Sequence, residues 1–315
     1  MKALVTGAAG FIGSHLCERL LSEGWAVVGV DNFDSFYSRE IKESNISDCL
    51  SNKQFKLIEG DIRDGECVDD LCSKEKFDII IHLAAKAGVR PSIEDPVGYQ
   101  DVNIKGTLVM LEGARNHGVK KFIFGSSSSI YGNNEKVPFC ESDNVDFPIS
   151  PYAATKKAGE LLCHTYSHLY DIDITCLRFF TVYGPRQRPD LAIHKFSRLI
   201  ESGEAIPVFG DGSMRRDFTY IIDIIDGVMG AIDNCQGYEI YNLGESQPVR
   251  LDELIKAIEE ALGKKATINR LPVPPGDVRQ TYADVSKAVS RLGYNPKVGL
   301  KEGLTEFVKW FHKSS

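Results

Sequence analysis

A tyrosine and a lysine four residues apart form the first pattern in the sequence that could do chemistry. Tyr152 and Lys156 lie in a predicted helix over about 152–169, where residues four apart share a face. A lysine charge one turn away is expected to lower the pKa of the phenol, which could then exchange a proton with a substrate hydroxyl. This spacing is common by chance. Pro151 at the helix start and an upstream run of serines at 126–129, whose hydroxyls would lie beside the tyrosine, favour the functional interpretation.

Three glycines form the second pattern. Gly7, Gly10 and Gly13 stand between a short apolar strand at 3–6 and a helical pattern over the following residues. In that context the first glycine permits a tight turn, the second lets the backbone approach a pyrophosphate, and the third lets the helix pack closely on the sheet. The next predicted strand ends at Asp31. Its carboxylate can accept both hydroxyls of an adenosine ribose and would repel a 2′-phosphate, which favours NAD over NADP.

Further residues around this loop are candidates for contact with the same cofactor. Asp61, after the third predicted strand, could bond the adenine edge or could simply cap a helix. Small residues after the fourth strand would let the cofactor lie flat across the edge of the sheet. The predicted cofactor contacts are Gly7, Gly10, Phe11, Ile12, Gly13, Asp31, Asn32, Asp61, Ile62, Leu83, Ala84, Ala85, Tyr152 and Lys156.

The elements that must position these residues alternate regularly in the first half of the chain. Apolar strands are predicted at 3–6, 25–30, 55–59, 78–82, 121–125 and 174–178, and helices near 11–23, 101–117 and 152–169. This alternation predicts an α/β fold, a Rossmann-type doubly wound parallel sheet with helices on both faces.

The pattern changes after about residue 185, which predicts a smaller C-terminal substrate-binding α/β part. Helices are predicted there at 190–202, 251–262, 286–292 and 300–312, and a loop at 271–279. We expect residues 1–185, plus roughly 217–240, to form the NAD-binding domain. Residues 186–216 and 241–315 are expected to form the smaller domain.

The composition limits the classes of function. The chain has 315 residues, 43% of them apolar, and a formal net charge of −7, which argues against a nucleic-acid partner because phosphate binding needs a basic face. Eight scattered cysteines form no CxxC pair and no metal-ligand cluster, so we expect no metal site and reduced thiols in a cytoplasmic protein. The N-terminus lacks a signal-peptide core, and no apolar run approaches the roughly 20 residues that span a bilayer, so no membrane association is expected.

Several motifs follow one another along essentially the whole chain. They are GxxGxxG, HLAA, SSSSIYG, YxxxK, RFFTVYGPRQRPD and RRDFTYI. Together they resemble the extended short-chain dehydrogenase/reductase family, in its sugar-nucleotide epimerase and dehydratase branch. The resemblance implies NAD as the cofactor, Tyr152 as the acid/base, Lys156 as its partner, and Ser127 as the hydroxyl that contacts the reacting oxygen of the sugar.

The residues after Ser127 narrow the subgroup. Dehydratases of this branch carry an Asp-Glu pair just before the Val-Tyr-Gly of the strand end, and UDP-glucuronate decarboxylases carry a Glu there, whereas this chain has Ser128 and Ser129. No carboxylic acid stands ready for elimination. This favours epimerisation, which needs only oxidation at C4, rotation of the keto sugar and return of the hydride to the other face.

Within the branch, the chain is similar to the UDP-glucuronate 4-epimerases. Thr181 stands where UDP-galactose epimerases have Asn, and Arg186 and Arg188 follow it. An Arg such as Arg188, with nearby hydroxyls, can bind the C6 carboxylate of a uronic acid and hold it against decarboxylation. The alternative for Arg186 and Arg188 is a solvated loop. The predicted substrate contacts are Arg90, Ser127, Ser128, Thr181, Arg188, Pro207, Phe209, Arg216 and Arg279.

By the resemblance, Pro207 and Phe209 would frame the uracil, and Arg216 and Arg279 would hold the diphosphate. Phe209 could instead belong to the core, and Arg216 could form a salt bridge to Asp217 or Asp223. Thr281 stands where galactose epimerases have a bulky tyrosine, so a larger C2 substituent could be admitted.

The expected reaction is the NAD-dependent conversion of UDP-glucuronate to UDP-galacturonate through a 4-keto intermediate. UDP-glucose, and UDP-N-acetylglucosamine or its uronic acid, stay open as alternative substrates. Less favoured alternatives are a dehydratase or decarboxylase of the same fold and a non-catalytic NAD-binding protein. The helices near 101–117 and 152–169 are expected to pair across a two-fold axis in a homodimer.

Overall fold

The strands come in the order that the alternating pattern predicts. The computed structural model describes residues 1–273 and 278–314. Its strands are β1 (Lys2–Thr6), β2 (Ala26–Asp31), β3 (Phe55–Glu59), β4 (Ile79–His82), β5 (Lys121–Ser127), β6 (Asp173–Phe179), β7 (Thr181–Tyr183), β8 (Ala205–Phe209), β9 (Arg215–Tyr220), β10 (Tyr238–Leu243), β11 (Pro248–Arg250) and β12 (Thr267–Leu271). Of the predicted loop at 271–279, Leu271 belongs to β12, and residues 274–277 lie outside the described residues.

Helices follow most strands. They are α1 (Phe11–Ser22), α2 (Arg39–Leu50), α3 (Gly65–Glu75), α4 (Val89–Glu94), α5 (Pro96–Gln100), α6 (Gly106–Asn116), α7 (Pro151–Tyr170), α8 (Ala192–Glu201), α9 (Ile221–Asp233), α10 (Leu251–Leu262), α11 (Ser286–Leu292) and α12 (Leu300–Ser314). The helix predicted near 101–117 is divided into a π-helical turn at Asp101–Lys105 and α6. None of these helices is long and apolar enough to cross a lipid bilayer.

A seven-stranded parallel sheet forms the centre, in the order β10-β6-β5-β4-β1-β2-β3. Successive residues of β1 face opposite layers: Ala3 and Val5 pack with α1 and α9, whereas Leu4 packs with α3, α6 and α7. Because both faces are covered, the strands are apolar on both sides, which is why they read as continuous apolar runs. The predicted doubly wound sheet is confirmed.

Two smaller sheets stand apart from the central one. One has the order β11-β9-β7, and the other pairs β12 with β8 in parallel. Helices α8, α10 and α12 pack against one another beside them.

The observed strands do not follow the predicted domain boundaries at every residue. β7 lies outside the central sheet although 1–185 was assigned to the large domain, and β10 extends the central sheet to Leu243, beyond the predicted return segment at 217–240. Within the described residues β10 is an edge strand that pairs with β6 alone, and its first half is partly exposed, so its sequence mixes polar and apolar residues. The two-domain division itself stays a prediction.

Helix α7 positions the predicted acid/base. The Ser150 hydroxyl caps it by accepting from the backbone N–H of Ala153 at 3.1 Å, and Pro151 occupies its first position. Tyr152 therefore lies in the first turn and Lys156 in the second. Gly159 lets the helix approach the sheet, because a Cβ there would overlap the ring of Phe124 on β5.

Candidate active site

A cavity of about 660 Å³ lies at the carboxyl ends of the central strands, where ligands of open parallel sheets bind. Its walls include all the predicted cofactor residues and four of the predicted substrate residues. These are Gly7, Gly10, Phe11, Ile12, Gly13, Asp31, Asn32, Asp61, Ile62, Leu83, Ala84, Ala85, Ser127, Ser128, Tyr152, Lys156, Thr181 and Arg188. The predicted substrate residues Arg90, Pro207, Phe209, Arg216 and Arg279 do not border it.

The glycine loop has the shape that a pyrophosphate requires. Gly7 has a φ of 71°, and a Cβ at Gly13 would overlap the carbonyl oxygen of Gly7, so neither position admits a side chain without strain. Gly10 is the N-cap of helix α1 and provides no side-chain cap, and the first turn of the helix has no acidic residue. Its first N–H groups therefore face the cavity with no competing carboxylate, an arrangement that suits a bound phosphate.

Asp31 is fixed in place at the end of β2. Its carboxylate accepts from the backbone N–H groups of Ala9 at 3.0 Å and Phe33 at 2.9 Å. Burial raises the pKa of Asp31, while these N–H bonds and the Lys42 charge oppose that rise. Each oxygen keeps a further lone pair for a ribose hydroxyl, so the residues present fit the adenosine half of NAD.

Asp61 does not cap a helix, and both oxygens of its carboxylate already accept hydrogen bonds. Its two oxygens accept from Arg63 at 2.9 and 2.7 Å, and Asn32 donates to one of them at 3.0 Å. The Arg63 guanidinium holds the pKa of Asp61 well below its usual range. The cap of α3 is Asp64 instead, so the alternative of a capping Asp61 is wrong. A bond from adenine to Asp61 stays a prediction.

Tyr152 and Ser127 meet in the wall of the cavity. Both side chains line the cavity, and the ring of Tyr99 packs edge-on against that of Tyr152 at 6.2 Å. The Ser127 hydroxyl donates to that of Ser129 at 3.1 Å and accepts from the Ser129 backbone N–H at 3.2 Å. Burial raises the pKa of Tyr152, and the groups that oppose the rise are Ser127 and the Arg188 charge.

Lys156 is held at the end of β5. Its Nζ donates to the carbonyl oxygen of Gly125 at 2.6 Å and lies over the ring of Phe124. Burial lowers the pKa of Lys156 to about 8. Burial dominates the pKa of Tyr152, and the charge that opposes it belongs to Arg188. That Lys156 lowers this pKa stays a prediction.

Arg188 reaches the cavity from the segment after β7. Its Nε and Nη2 donate to the carboxylate of Asp190 at 2.9 and 2.8 Å, and Nη2 also reaches the carbonyl oxygen of Ala87 at 3.4 Å. The guanidinium stacks over Phe36 at 5.2 Å. Among the described residues, none accepts a hydrogen bond from Nη1, which leaves that nitrogen for a ligand.

Arg186 is turned away from the cavity. Its Nη2 pairs with Glu18 of α1 at 2.5 Å, and its side chain is largely buried. The solvated-loop alternative is therefore wrong for both arginines, but only Arg188 is placed to contact a substrate.

The remaining predicted substrate residues form two contacts of their own. The Arg90 guanidinium lies 4.0 Å over the ring of Phe209, on β8 with Pro207. On β9, Arg216 donates to the carbonyl oxygen of Arg215 at 2.9 Å and approaches that of Arg279 at 3.5 Å, so the two predicted diphosphate arginines are neighbours.

The aspartates suggested as alternative partners of Arg216 bind backbone groups. Asp217 accepts from the N–H groups of Glu245, Ser246 and Ala283, and Asp223 from those of Lys297 and Val298. Thr281 is buried, and its hydroxyl accepts from the backbone N–H of Asp217 at 3.1 Å.

Sequence reasoning missed Phe36, Tyr37, Tyr99 and Asp190. The first three line the cavity, and Asp190 orients Arg188. A signal existed for Asp190, which follows Arg188 by two residues, and for Phe36 and Tyr37, which are aromatic residues in an otherwise polar loop.

Known proteins match the chain over nearly its whole length. The family model described as GDP-mannose 4,6 dehydratase matches residues 4–307. The UDP-glucuronate 4-epimerase of Thermodesulfobacterium geofontis is 44% identical over 308 residues, covering 98% of this chain and 95% of that protein.

Solved structures agree. UDP-glucuronic acid 4-epimerase from Bacillus cereus, in complex with UDP-glucuronic acid and NAD, has a TM-score of 0.94 and 41% identity, covering 100% of both chains. UDP-glucose 4-epimerase from Thermotoga maritima, with UDP-glucose, has a TM-score of 0.92 and 35% identity, covering 100% of this chain and 99% of that one. The resemblance drawn from the motifs is thereby confirmed, and the chain belongs to the GDP-mannose 4,6 dehydratase family of extended short-chain dehydrogenases/reductases.

Proposed function

We propose that the protein is an NAD-dependent epimerase that inverts C4 of UDP-glucuronate, giving UDP-galacturonate through a 4-keto intermediate. One observation carries the proposal. A single cavity joins the glycine loop and Asp31 to the Tyr152–Ser127 pair and to Arg188. The similar proteins named for this reaction, one of them in complex with UDP-glucuronic acid and NAD, support it.

The proposed acid/base work falls to Tyr152 and Ser127. NAD, when bound, would supply the hydride acceptor and donor for C4. Tyr152, as the phenolate, would take the proton of the C4 hydroxyl and return it after the sugar has presented its other face. Ser127 would hold the C4 oxygen in line with Tyr152, and the Arg188 charge would favour the phenolate.

Recognition of the carboxylate is assigned to Arg188, Thr181 and Ser128. All three line the cavity, and Nη1 of Arg188 can donate to a C6 carboxylate. A β-keto acid loses CO₂ most easily when its carboxylate is twisted out of the ring plane. Charge-assisted bonds that fix the group would suppress this loss.

A second candidate is a neutral-sugar UDP-hexose 4-epimerase. The observation that favours it is the Asp190 carboxylate, which already pairs with Arg188 and compensates its charge in the described structure. The similarity to the UDP-glucose 4-epimerase of Thermotoga maritima supports the same alternative. UDP-N-acetylglucosamine gains no support from Thr281, because that residue is buried against β9.

The deciding experiment is an assay of the purified protein on UDP-glucuronate without added NAD, followed by proton NMR. Formation of UDP-galacturonate without UDP-pentose supports the proposal. Conversion of UDP-glucose alone would move the function to the neutral-sugar reaction.

For the acid/base assignment, we expect Tyr152→Phe to retain NAD and to lose turnover by about 10²- to 10⁴-fold, the usual contribution of a positioned acid/base. Tyr170→Phe, at the far end of the same helix, is the matched control and should keep wild-type turnover. If Tyr152→Phe also kept the wild-type rate, Tyr152 would have no part in the chemistry.

We also propose that the protein is a cytoplasmic homodimer. Leu108 of α6 and Leu161 and Leu169 of α7 are exposed apolar residues on the two helices expected to pair. All eight cysteines are free thiols, as expected in a reducing compartment.

A further inference from the structure

Three consecutive residues at the end of β5 lie beside residues of α7. Gly125 accepts from Lys156, Ser126 donates to Glu160 at 2.7 Å, and Ser127 lines the cavity together with Tyr152. Tyr152, Lys156 and Glu160 are spaced by one helical turn each and share the face that meets the strand. The pair proposed to do the chemistry is thus one of three successive residue pairs of the same two elements.

The Glu160 contact is the most deeply buried of the three. Glu160 and Arg178 form an ion pair with both side chains 1% exposed, and both oxygens accept at 2.9 Å, from Nε and Nη2 of Arg178. Arg178 lies on β6, the neighbour of β5 in the sheet. Glu160 therefore joins α7, β5 and β6 at one point, directly behind Ser127.

The other donors of this group are also satisfied. Nη1 of Arg178 donates to the Tyr131 hydroxyl at 2.9 Å, and Tyr131 donates to the side-chain oxygen of Asn242 at 2.7 Å. Asn242 in turn donates to the carbonyl oxygens of Phe139 and Asp284. With so many partners, the carboxylate of Glu160 has one orientation available.

Stability alone is a poor reason for such a pair. Burying two charges costs desolvation that their attraction roughly offsets, so well-packed apolar side chains of similar volume can replace a buried pair with little loss. What an apolar replacement cannot supply is a directed acceptor for the Ser126 hydroxyl.

We propose that Glu160, oriented by Arg178, is a positioning residue: by holding Ser126 it sets the neighbouring Ser127 hydroxyl against Tyr152. The Glu160 carboxylate also opposes the burial that lowers the pKa of Lys156, so it helps to keep that lysine protonated. An effect of Glu160 on kcat rests on the proposed epimerase function, whereas its effect on the position of Ser127 does not.

The first test is Ser126→Ala, which removes the hydroxyl and leaves the ion pair. Ser197→Ala is the matched control: Ser197 is equally buried, and its hydroxyl has no partner among the described residues. Two readouts are needed. One is the titration of Tyr152 in protein labelled with ¹³C at tyrosine Cζ, with the signal assigned by Tyr152→Phe; the other is the separate effect on kcat and KM.

We expect Ser126→Ala to raise the pKa of Tyr152, because a displaced Ser127 no longer stabilises the phenolate. We expect kcat for UDP-glucuronate to fall by about 10- to 100-fold, as for a misplaced catalytic group, with KM and NAD content within about twofold of wild type. A wild-type titration and a wild-type kcat would overturn the proposal. A parallel loss of kcat, NAD content and thermal stability would also overturn it, because it would show general loosening.

The double variant Glu160→Met/Arg178→Met gives an independent test. It should fold and retain NAD, yet show the same raised titration of Tyr152 and the same loss of kcat as Ser126→Ala. Wild-type behaviour of a folded double variant would contradict a positioning role. If the wild-type protein epimerised no UDP-sugar, the proposed function would fail, and the Tyr152 titration would still decide this proposal.

Discussion

The guanidinium of Arg188 is shared between the protein and the cavity. Asp190 accepts from its Nε–Nη2 edge and Phe36 covers its face, and Nη1 has no acceptor within residues 1–273 and 278–314 and is left for a ligand. A fixed guanidinium with one open donor can read a single carboxylate oxygen without reorganising. This is the arrangement that a clamp on a uronic acid needs.

We therefore expect Arg188→Ala to lower kcat/KM for UDP-glucuronate by about 10- to 100-fold, the effect of losing a charge-assisted hydrogen bond, and to change that for UDP-glucose little. The measurement is the ratio of the two kcat/KM values, compared with wild type. Equal losses for both substrates would show that Arg188 does not read the carboxylate.

For individual residues, the sequence predicted which side chains line the site better than it predicted their contacts. Tyr152, Ser127 and Arg188 were found from their motifs, but the direction of Lys156 depends on the Gly125 carbonyl, which no side-chain pattern encodes. Arg178 stands in the strand segment DITCLRFF, which is buried from residue 174 to residue 178. A lone arginine in a buried strand requires a buried anion, so that signal was available. Only the fold shows that the anion is Glu160.

Among the elements, the turn between β1 and α1 makes the strictest demand on sequence. Gly13→Ala would drive a Cβ into the Gly7 carbonyl, so we expect loss of copurified NAD and a lower Tm. Gly65→Ala, at the first residue of α3, meets nothing within 4 Å and is the control. The NAD content of the purified variants decides; a Gly13→Ala protein with full NAD content would show that the helix can shift to accept the methyl group.

A cluster of carboxyl groups lies where β9, α9 and the segment after β10 meet. Burial, together with the nearby charges of Asp223 and Asp217, raises the pKa of Glu245 to about 7. One oxygen of Glu245 is buried with no hydrogen-bond partner among the described residues. The folded protein thus binds the Glu245 proton more tightly than the unfolded chain does.

The sign of the resulting pH dependence follows from that difference. The contribution of Glu245 to the free energy of unfolding is fully present below the pKa of the unfolded chain, near 4.5, and is lost as pH rises through about 7. We expect Glu245→Gln, which fixes the neutral form, to be more stable than wild type at pH 8 and similar at pH 5, as measured by urea unfolding. The exposed Glu135→Gln should show no such difference. A variant equally stable at both pH values relative to wild type would contradict the assignment.

The helices and strands that were predicted from the sequence are those in which apolar residues recur at a regular spacing. The six central strands before residue 180 and the amphipathic helix at 251–262 stand out because burial on both faces, or on one stripe, imposes a pattern. β7 and β11 are three residues long and carry no period. The π-helical turn before α6 was missed as well, because the apolar spacing of α and π turns is nearly the same over so few residues.

At the scale of the whole molecule, the exposed leucines of α6 and α7 predict that two chains pair. We expect sedimentation to give twice the mass of one chain, and the double variant Leu161→Arg/Leu169→Arg to give a monomer, since two charges would be buried in the helix pair. Val289→Arg, an exposed apolar residue on α11, is the control and should stay dimeric. A wild-type monomer at all concentrations would exclude the dimer.

The path of the chain between sheets has a consequence for how such a protein can change its substrate. The chain leaves the central sheet after β6, returns once as β10, and leaves again for β11 and β12. A genetic exchange between two relatives at a single breakpoint would therefore build one sheet from strands of two different proteins. Chimeras between relatives require two separated segments to be exchanged together. New specificities should consequently arise by point substitution around the cavity and not by shuffling of modules.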